Sequence, residues 1–450
     1  MRRAWLFLAA AAWLAAPATN EAAVPAGADS APAPALGFAE AVALAARQNA
    51  SVQVAQLRVG EANARVAQSR AAFLPSVTAQ ATMTDRTFNL NALGMAIPGF
   101  PRLADPLIGP VWESEARIRV TQTVLDLSSW QKLRGARLGA LAARADQAGS
   151  AETAAQAAGL AYLRAARAAA LVHARDEDLT LARDLQTLAE AQLEAGTSPN
   201  IDATRARTQV AVSRGAVLMA RNASDRARIE LARVLGLDPA SPPALADTLS
   251  EALGASAAPG ETDAAVAFAL ANREEVRGEQ ARADRARADR SATLLERLPR
   301  LDVSGDWGSS GEHYGDAIAT RTYAAALTLP IVDGLRREGR LREQGELLRE
   351  SLVREKDLRD QITAETSGAL LDLSSGLEQL GVAAEQLRLA EEEVAQSRER
   401  FTSGIAGNIE VIEAQASLLR ARDADINARF AVASARVALA RAAGVARGMR

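Results

Sequence analysis

The sequence lacks several residue types that carry common chemistry. It contains no cysteine and only two histidines among 450 residues. The absence of cysteine excludes disulfide bonds, thiol chemistry and a lipid-acceptor cysteine. Neither His173 nor His313 has a partner at a spacing that suggests a catalytic or metal site. Carboxylates occur mainly at the spacing of exposed helix faces. The sequence therefore predicts no enzyme, no metal site and no cofactor.

Aromatic residues and net charge are also scarce. Aromatic residues make up 4% of the chain, whereas alanine is abundant, which suits helices packed closely side by side better than a large globular core. The formal net charge is −3, with basic and acidic residues interleaved along the chain. Because no basic face stands out, the composition indicates no nucleic-acid partner.

The N-terminal residues have the pattern of a secretory signal peptide. Arg2 and Arg3 precede an apolar run, and "APA" at 16–18 supplies small residues for cleavage. Residues 1–18 are therefore predicted to be removed, and residues 19–37, rich in proline and alanine, to form a flexible segment. No later run approaches the roughly 18 uncharged apolar residues that a membrane helix needs. A bacterial cell envelope is the expected destination.

Several short motifs occur twice. "GTSPNID" begins at Gly196 and "GIAGNIE" at Gly404, 208 residues later. "LARVLGL" and "LARAAGV" repeat at the same offset, and Leu-Pro pairs end at Pro75 and Pro299. Repetition on this scale predicts two equivalent structural repeats. We place them at residues 38–236 and 262–444, joined by a linker at 237–261 and followed by a tail at 445–450.

Each repeat is predicted to contain helix, strand, strand, long helix and shorter helix. The first helices are predicted at 38–73 and 262–297, each ended by the proline that follows. The long helices are predicted at 128–195 and 335–403, and each would extend roughly 100 Å. The return helices are predicted at 200–235 and 408–444. Helices of this length need packing partners to be stable.

Four short segments alternate apolar and polar residues, at 76–84, 117–121, 300–307 and 322–329. A period of two predicts strands. Such strands could form a soluble sheet with one wet face, or part of a transmembrane β-barrel. The signal peptide favours the barrel, as do Trp112, Trp307 and Tyr323 near strand ends, predicted to be membrane-interface aromatics. Because barrels begin at eight strands, four strands would have to be pooled between protomers. Residues 85–112 are predicted to form an extracellular loop.

Over nearly its whole mature length, the chain resembles the TolC family of outer-membrane efflux proteins. The resemblance rests on the duplicated Leu-Pro pairs, the paired glycine motifs and the segment "LPIVDG" at 329–334. The strand–helix junction residues are Pro75, Pro299, Asp126, Pro330, Asp333 and Gly334. The first repeat has Thr123 and Leu127 where the second has Pro330 and Gly334, which makes its junction less typical.

The resemblance implies a mainly α fold with a small β part. It implies a homotrimer, with four strands per protomer in a 12-stranded barrel embedded in outer-membrane lipid of a Gram-negative bacterium. Duplicated helical hairpins would form a tunnel through the periplasm. A periplasmic adaptor and an inner-membrane pump, of the RND or ABC type, would supply the exported substrates. The alternative is a periplasmic coiled-coil adaptor or scaffold, which accounts for the helices but not for four amphipathic strands.

The glycine motifs are predicted to form turns at the periplasmic tip, where the adaptor docks. Gly196 and Gly404 would end the long helices, and Asn200 and Asn408 would cap the return helices. Asp202 and Glu410 fall in the first turn of those helices, which by itself accounts for them through the helix dipole.

The resemblance adds a functional interpretation of these carboxylates. In the family, acidic residues six and nine positions after the second tip glycine line the narrowest part of the tunnel. Those positions hold Glu410 and Glu413, and the first motif matches once, at Asp202. Rings of carboxylates favour cations. Some relatives carry a basic residue two places after the second glycine, where this chain has Ala406.

Overall fold

The two halves of the chain contain the same elements in the same order. A computed structural model describes residues 35–89, 107–313, 315–403, 405 and 407–450. The first half contains α1 Phe38–Gln48, α2 Ala50–Ala71, β1 Ser76–Asn89, β2 Leu107–Leu125, α3 Leu127–Glu194 and α4 Asn200–Leu235. The second contains α5 Thr262–Asn272, α6 Glu274–Leu295, β3 Arg300–Gly311, β4 Ile318–Thr328, α7 Arg336–Thr402 and α8 Asn408–Ala442, and a 3₁₀ turn follows at Ala446–Gly448. The predicted duplication of elements is confirmed.

The first helix of each half is broken, so the prediction of continuous helices at 38–73 and 262–297 is wrong. The breaks fall at Asn49 and Arg273, whose ψ angles of 138° and 117° are extended. Asn49 accepts a hydrogen bond from the amide of Ser51 and donates one to the carbonyl of Val234, at the end of α4. In the second half, Gly444 at the end of α8 lies directly against Arg273. Each break therefore lies where the end of α4 or α8 contacts the first helix of its half.

The helices form a layer in which each contacts its neighbours. Helix α3 packs against α2 and α4 on one side and against α6 and α8 on the other. Helix α7 packs against α5, α6 and α8. Small residues allow the close approach, since a Cβ atom at Gly278 of α6 would lie 3.2 Å from the Cβ atom of Ala145 in α3. No helix of the described ranges has both the length and the apolar composition of a membrane-crossing segment.

The main apolar core lies where distant parts of the chain meet. Phe38, Tyr162, Leu235, Val437 and Met449 are buried together there, drawn from α1, α3, α4, α8 and the C-terminal residues. The hydroxyl of Tyr162 donates to the carbonyl of Leu36 at 2.9 Å and lies 3.0 Å from a carboxylate oxygen of Asp247. Burial raises the pKa of Tyr162 to about 12.

The segments predicted as linker and tail take part in this core region. Leu36 forms a β-bridge with Leu245, and the amide of Phe38 donates to Asp247, so this part of the predicted linker lies beside the start of α1. The backbone of Arg450 exchanges hydrogen bonds with Gly254 and Ala255. The predicted signal peptide, residues 19–34 and residues 90–106 lie outside the described residues.

The four strands form one antiparallel sheet in the order β1-β2-β3-β4. Strands β1 and β2 are longer than predicted and pair from Ser76 with Thr121 to Asn89 with Leu107. The predicted loop at 85–112 is therefore too long, because residues 85–89 and 107–112 belong to the strands. The shift in register between Arg86 and Phe88 interrupts the alternation that the sequence pattern depends on.

Candidate functional site: the tip turns and the two-faced sheet

The turn after α3 ends the helix as predicted. Gly196 has a φ of +73°, a left-handed conformation that favours glycine. The amide of Thr197 donates to the carbonyl of Gln192 at 2.9 Å, and that of Gly196 to Leu193 at 3.0 Å. These two bonds form a Schellman motif, which satisfies the last carbonyls of the helix.

The turn after α7 has the same design. The amide of Ile405 donates to the carbonyl of Arg400 at 3.0 Å, which is the bond that Thr197 makes in the first turn. Gly404 and Ala406 lie outside the described residues. Both long helices therefore share this terminal hydrogen bond.

The predicted capping role of the two asparagines is wrong. The residues that precede helices α4 and α8 are Pro199 and Gly407, and neither helix start has a side-chain cap. Asn200 is exposed. Asn408 is only 1% exposed, and its side-chain amide donates to the carbonyl of Asp202 at 3.0 Å. Asn408 therefore joins the two tip turns, a role that depends on a residue 206 positions away.

Asp202 is buried at the same contact. Its carboxylate accepts a hydrogen bond from the hydroxyl of Ser198 at 3.1 Å and lies 3.5 Å from the guanidinium of Arg205. Both partners belong to the first tip turn and the helix that follows it. The side chain of Asp202 is thus engaged locally, which favours the structural over the constriction role predicted for it.

The two carboxylates of the second tip differ from each other. Glu410 is half-buried and forms an ion pair with Arg400 at 2.9 Å. Glu413 lies one turn later on α8 and is exposed. Among the described residues, Glu413 has no ion-pair partner within 4.0 Å. Glu413 therefore carries the less compensated charge of the two.

Each tip turn also presents an exposed isoleucine in the same position. Ile201 follows Asn200, Ile409 follows Asn408, and both are more than half exposed. Ile405, earlier in the second turn, is also exposed. These isoleucines were not predicted as a contact surface, although the repeated "NI" of the motif was the signal. Exposed apolar side chains at equivalent positions indicate a contact surface.

A charge network joins α3 to α8 above the tips. Arg175 of α3 binds Asp423 of α8 through both carboxylate oxygens, at 2.6 and 2.7 Å. In the other direction, Arg422 of α8 binds Asp178 of α3 at 2.8 Å. Burial raises the pKa of Asp178, and the two arginines oppose that shift. The network was not predicted from the sequence. Its signal was that the charged residues of α3 and those of α8 lie at nearly equal numbers of residues from the tip glycines, on antiparallel helices.

At the other end of the helices, the junction residues connect strands to helices as predicted. Pro75 lies between α2 and β1, and Pro299 lies between α6 and β3. Asp126 caps α3 by accepting hydrogen bonds from the amides of Ser128 and Ser129. Asp126 thus satisfies free amides at the start of α3.

The second strand-to-helix junction uses a longer turn. Pro330, Asp333 and Gly334 lie between β4 and α7, and Asp333 accepts a hydrogen bond from the amide of Arg337 at 3.1 Å. Gly334 and Leu335 both have positive φ angles, of 67° and 64°. Leu335 is exposed although its backbone conformation is one that leucine disfavours.

The sheet has one apolar and one polar face. The register places Val77, Ile118, Val303, Trp307 and Leu327 on the same face. The opposite face of β2 and β3 carries Glu113, Glu115, Arg117, Arg119, Asp302 and Asp306. Arg117 forms ion pairs with Glu115 and Asp306 on that face. No helix packs on either face of the sheet within the described residues.

Trp112, Trp307 and Tyr323 lie on the apolar face of the sheet. The indole of Trp307 donates to the hydroxyl of Tyr323 at 3.0 Å. Trp307 pairs with Ile118 of β2, and Trp112 lies six residues from Ile118 along that strand. That separation is about 20 Å at the rise of a strand. A fourth exposed aromatic, Trp130 of α3, was missed because it lies in a helix.

Comparison with known proteins identifies the class of molecule to which these features belong. The sequence profile of outer membrane efflux proteins matches residues 41–237 and 266–445, one match in each structural repeat. The chain belongs to the outer membrane efflux protein family. The predicted membership of the TolC family is thereby confirmed.

Individual relatives of this outer membrane efflux protein agree with the family match. Protein CyaE of Bordetella pertussis is 28% identical over 348 residues, which span 74% of this chain and 68% of CyaE. The CmeC outer membrane channel of Campylobacter jejuni has a TM-score of 0.77 at 15% identity, covering 91% of this chain and 86% of CmeC. The outer membrane protein VceC of Vibrio cholerae has a TM-score of 0.75 at 18% identity, covering 90% and 96%. The two structures establish the fold.

Family membership decides between the interpretations that the sequence left open. The protein is an outer membrane efflux channel of tripartite export systems, located in the bacterial outer membrane and extending into the periplasm. It is a transport protein and not an enzyme. The adaptor and scaffold alternatives are therefore replaced by the channel.

Proposed function

We propose that three copies of this chain close into one export channel, with β1 of each copy paired to β4 of the next. Among the described residues, the sheet order gives β1 and β4 a strand neighbour on one edge only. Unpaired strand edges cannot face lipid, because their amides and carbonyls would have no hydrogen-bond partners there. Three four-stranded sheets joined in this way give a barrel of 12 antiparallel strands.

The observation that carries the proposal is a difference between the two long helices. Leu163 of α3 is 0% exposed and Ala174 is 7% exposed. At the repeat offset of 208, the corresponding residues of α7 are Leu371 and Val382, which are 69% and 59% exposed. Helix α7 thus has an apolar side that is covered in its counterpart. The first helices of a second copy would cover it.

The opposite edge of the helical layer offers the matching surface. Helix α4 packs on α3 but leaves Val212, Leu218 and Met219 exposed. Helix α2 similarly exposes Val54 and Leu57. Two different apolar edges, one on each side of the chain, suit head-to-tail association around a ring.

The width needed for export favours three copies over two. Two copies would give eight strands, and the interior of an eight-stranded barrel is just wide enough for side chains. Twelve strands leave an open interior. The polar face of the sheet, with Arg117 and Asp306, would line this interior, and the apolar face would contact outer-membrane lipid. Trp112 would lie near one membrane interface, with Trp307 and Tyr323 about 20 Å away along the strands.

At the tips, we assign the constriction to Glu410 and Glu413 and a structural role to Asp202. Three copies would bring six carboxylates around the axis, and such rings attract cations. Asp202 is buried against Ser198 and Arg205, so it contributes little to that potential.

The tip turns are also the proposed docking surface for a periplasmic adaptor, which connects the channel to an inner-membrane pump. Gly196, Asn200, Gly404 and Asn408 form or flank these turns. The exposed Ile201 and Ile409 support the assignment, because they give the two turns of each copy the same apolar contact. In cells that depend on this channel, Ile201→Asn with Ile409→Asn should lower export while the amount of trimer stays constant.

Mass measurement tests the assembly. The purified protein in detergent should have three times the mass of the mature chain by light scattering corrected for detergent. The trimer should also resist unheated denaturing electrophoresis, as closed barrels do. A dispersed, stable monomer, or a dimer, would contradict the proposal.

A further inference from the structure

The beginning of α3 has an unusual charge pattern. Residues 127–145 contain Lys132, Arg134, Arg137 and Arg144 and no acidic residue. The equivalent part of α7, residues 336–354, mixes arginine with four glutamates. The absence of acidic residues is therefore specific to α3.

Two faces of α3, between its flanking helices, remain accessible at this level. On one side, Lys132, Ala136 and Gly139 border a groove of about 250 Å³ that is shared with Arg65 of α2 and Asp289 of α6. The residues at helical spacing on the opposite side are Trp130, Arg134, Arg137 and Leu141, and all four are exposed. Arg134 and Arg137 have no carboxylate partner among the described residues.

The side of α3 that carries Trp130 continues the apolar face of the sheet. The ring of Trp130 packs edge-on against Phe73 at 5.5 Å between centroids. The carbonyl of Phe73 accepts a hydrogen bond at 3.0 Å from Gln122, which pairs with Val303 on the apolar face. Trp130 is 64% exposed there. The surface that meets lipid thus extends past the end of β2 onto the first turns of α3.

We propose that Trp130, Arg134 and Arg137 bind the headgroup of an anionic phospholipid in the periplasmic leaflet of the outer membrane. The assignment rests on the proposed orientation of the sheet, with its apolar face toward lipid. Trp130 would lie at the hydrocarbon boundary, as tryptophan does at membrane interfaces. Arg134 and Arg137 begin about 6 and 10 Å farther along the helix, within reach of a phosphate because long basic side chains extend toward headgroups.

The second repeat has no equivalent of this site. Residues 336–354 contain no aromatic residue, and Arg337 is buried beside Asp333. Each chain therefore supplies one site, and a trimer would carry three. A site of this kind fixes the depth of the channel in the membrane at the junction of barrel and tunnel.

Lipid selectivity of the intact trimer tests the proposal. The protein is reconstituted in phosphatidylcholine with trace spin-labelled phosphatidylglycerol or spin-labelled phosphatidylcholine, and the ratio of their association constants is measured by electron paramagnetic resonance. We expect a ratio well above one for the unchanged protein. Since each basic residue near an anionic surface contributes roughly five-fold, Arg134→Gln with Arg137→Gln should bring the ratio close to one.

A matched control removes the same charge far from the membrane. Arg183→Gln with Arg214→Gln changes two exposed arginines, the first about 80 Å along α3 from Trp130. This variant should keep the ratio of the unchanged protein. An unchanged ratio in the Arg134 and Arg137 variant, or an equal fall in the control, would overturn the proposal.

Further results distinguish the lipid site from a free-anion site and from the proposed trimeric assembly. Displacement of the labelled lipid by inorganic phosphate at constant ionic strength would identify a free-anion site and overturn the lipid assignment. A trimer that inserts normally but shows no preference for phosphatidylglycerol would contradict the lipid site alone. Failure to form a trimer would contradict the proposed assembly instead.

Discussion

The two repeats share their elements but differ in how completely the chain covers them. Helix α3 is flanked on both sides by helices of its own chain, and many more of its residues are buried than in α7. Helix α7 is flanked on one side, and Leu371 and Val382 remain exposed on it. The sequence thus encodes one repeat whose long helix is covered within the chain and one whose long helix keeps an exposed apolar side.

The tips show the same division of roles on a smaller scale. Asn200 and Asn408 occupy the same place in the motif, yet only Asn408 is buried and bonded across to the other turn. Asp202 is engaged by its own turn, whereas Glu413 is exposed. Duplication supplied equal starting residues, and their surroundings now determine different functions.

The largest expected effect comes from a charge on the uncovered side of α7. Leu371→Asp should abolish most trimer formation, because the proposed interface would have to bury an unpaired carboxylate. The monomer should keep its helical content, since Leu371 is exposed within the chain. Light scattering and circular dichroism measure the two properties.

Leu141→Asp is the control for this variant. Leu141 is an exposed leucine of α3, at helical spacing from Trp130 and Arg137. Leu141→Asp should leave the trimer intact. Trimers in both variants would contradict the interface that the comparison of α3 and α7 predicts.

The next effect concerns a contact that only the first repeat has. Tyr162→Phe removes the hydroxyl that joins Leu36 and Asp247, while Leu370 stands at the equivalent position in α7. Leaving these buried groups unpaired should lower the free energy of unfolding by about 1–3 kcal/mol. Thermal unfolding in detergent measures the change.

The pH dependence identifies the hydroxyl as the cause. Because burial raises the pKa of Tyr162 to about 12, its stabilisation is complete below pH 10 and is lost as the pH rises through 12. The difference between the unchanged protein and Tyr162→Phe should therefore shrink over that interval. A constant difference would indicate a packing effect instead.

A smaller and local effect is expected at the tips. Asn408→Ala removes the bond to the carbonyl of Asp202, which should reduce the local opening free energy by about 1 kcal/mol. Amide hydrogen exchange around residues 198–204 should become roughly five-fold faster. Asn200→Ala is the matched variant and should change exchange little, because Asn200 is exposed. Equal effects would show that the tips are not joined in this way.

The smallest energetic effect is expected from the tip carboxylates. Glu413→Gln should lower cation selectivity in planar bilayers by roughly two- to five-fold, and Glu410→Gln by less, since Arg400 already compensates Glu410. Arg400→Gln should raise selectivity. Asp202→Asn should leave it unchanged. Unaltered selectivity in all variants would limit these residues to turn formation and docking.

The features that sequence analysis found are those encoded by neighbouring residues. The predicted bounds of α3, α4 and α7 differ from the observed ones by one residue at most, because glycine turns and capping residues act locally. The breaks at Asn49 and Arg273 were missed because contacts with the ends of α4 and α8 determine them. The partner of Asn408 was missed for the same reason, since Asp202 lies 206 positions earlier.

The core around Tyr162 determines when the chain can finish folding. Leu36, Leu245, Asp247 and Met449 all meet there, from the beginning, the middle and the end of the described sequence. During export across the inner membrane, the chain emerges from one end to the other. Helices α1 and α3 therefore reach the periplasm long before the residues that complete their packing. The protein must remain incompletely folded in the periplasm until its last residues arrive, and during that interval its apolar surfaces need protection from aggregation.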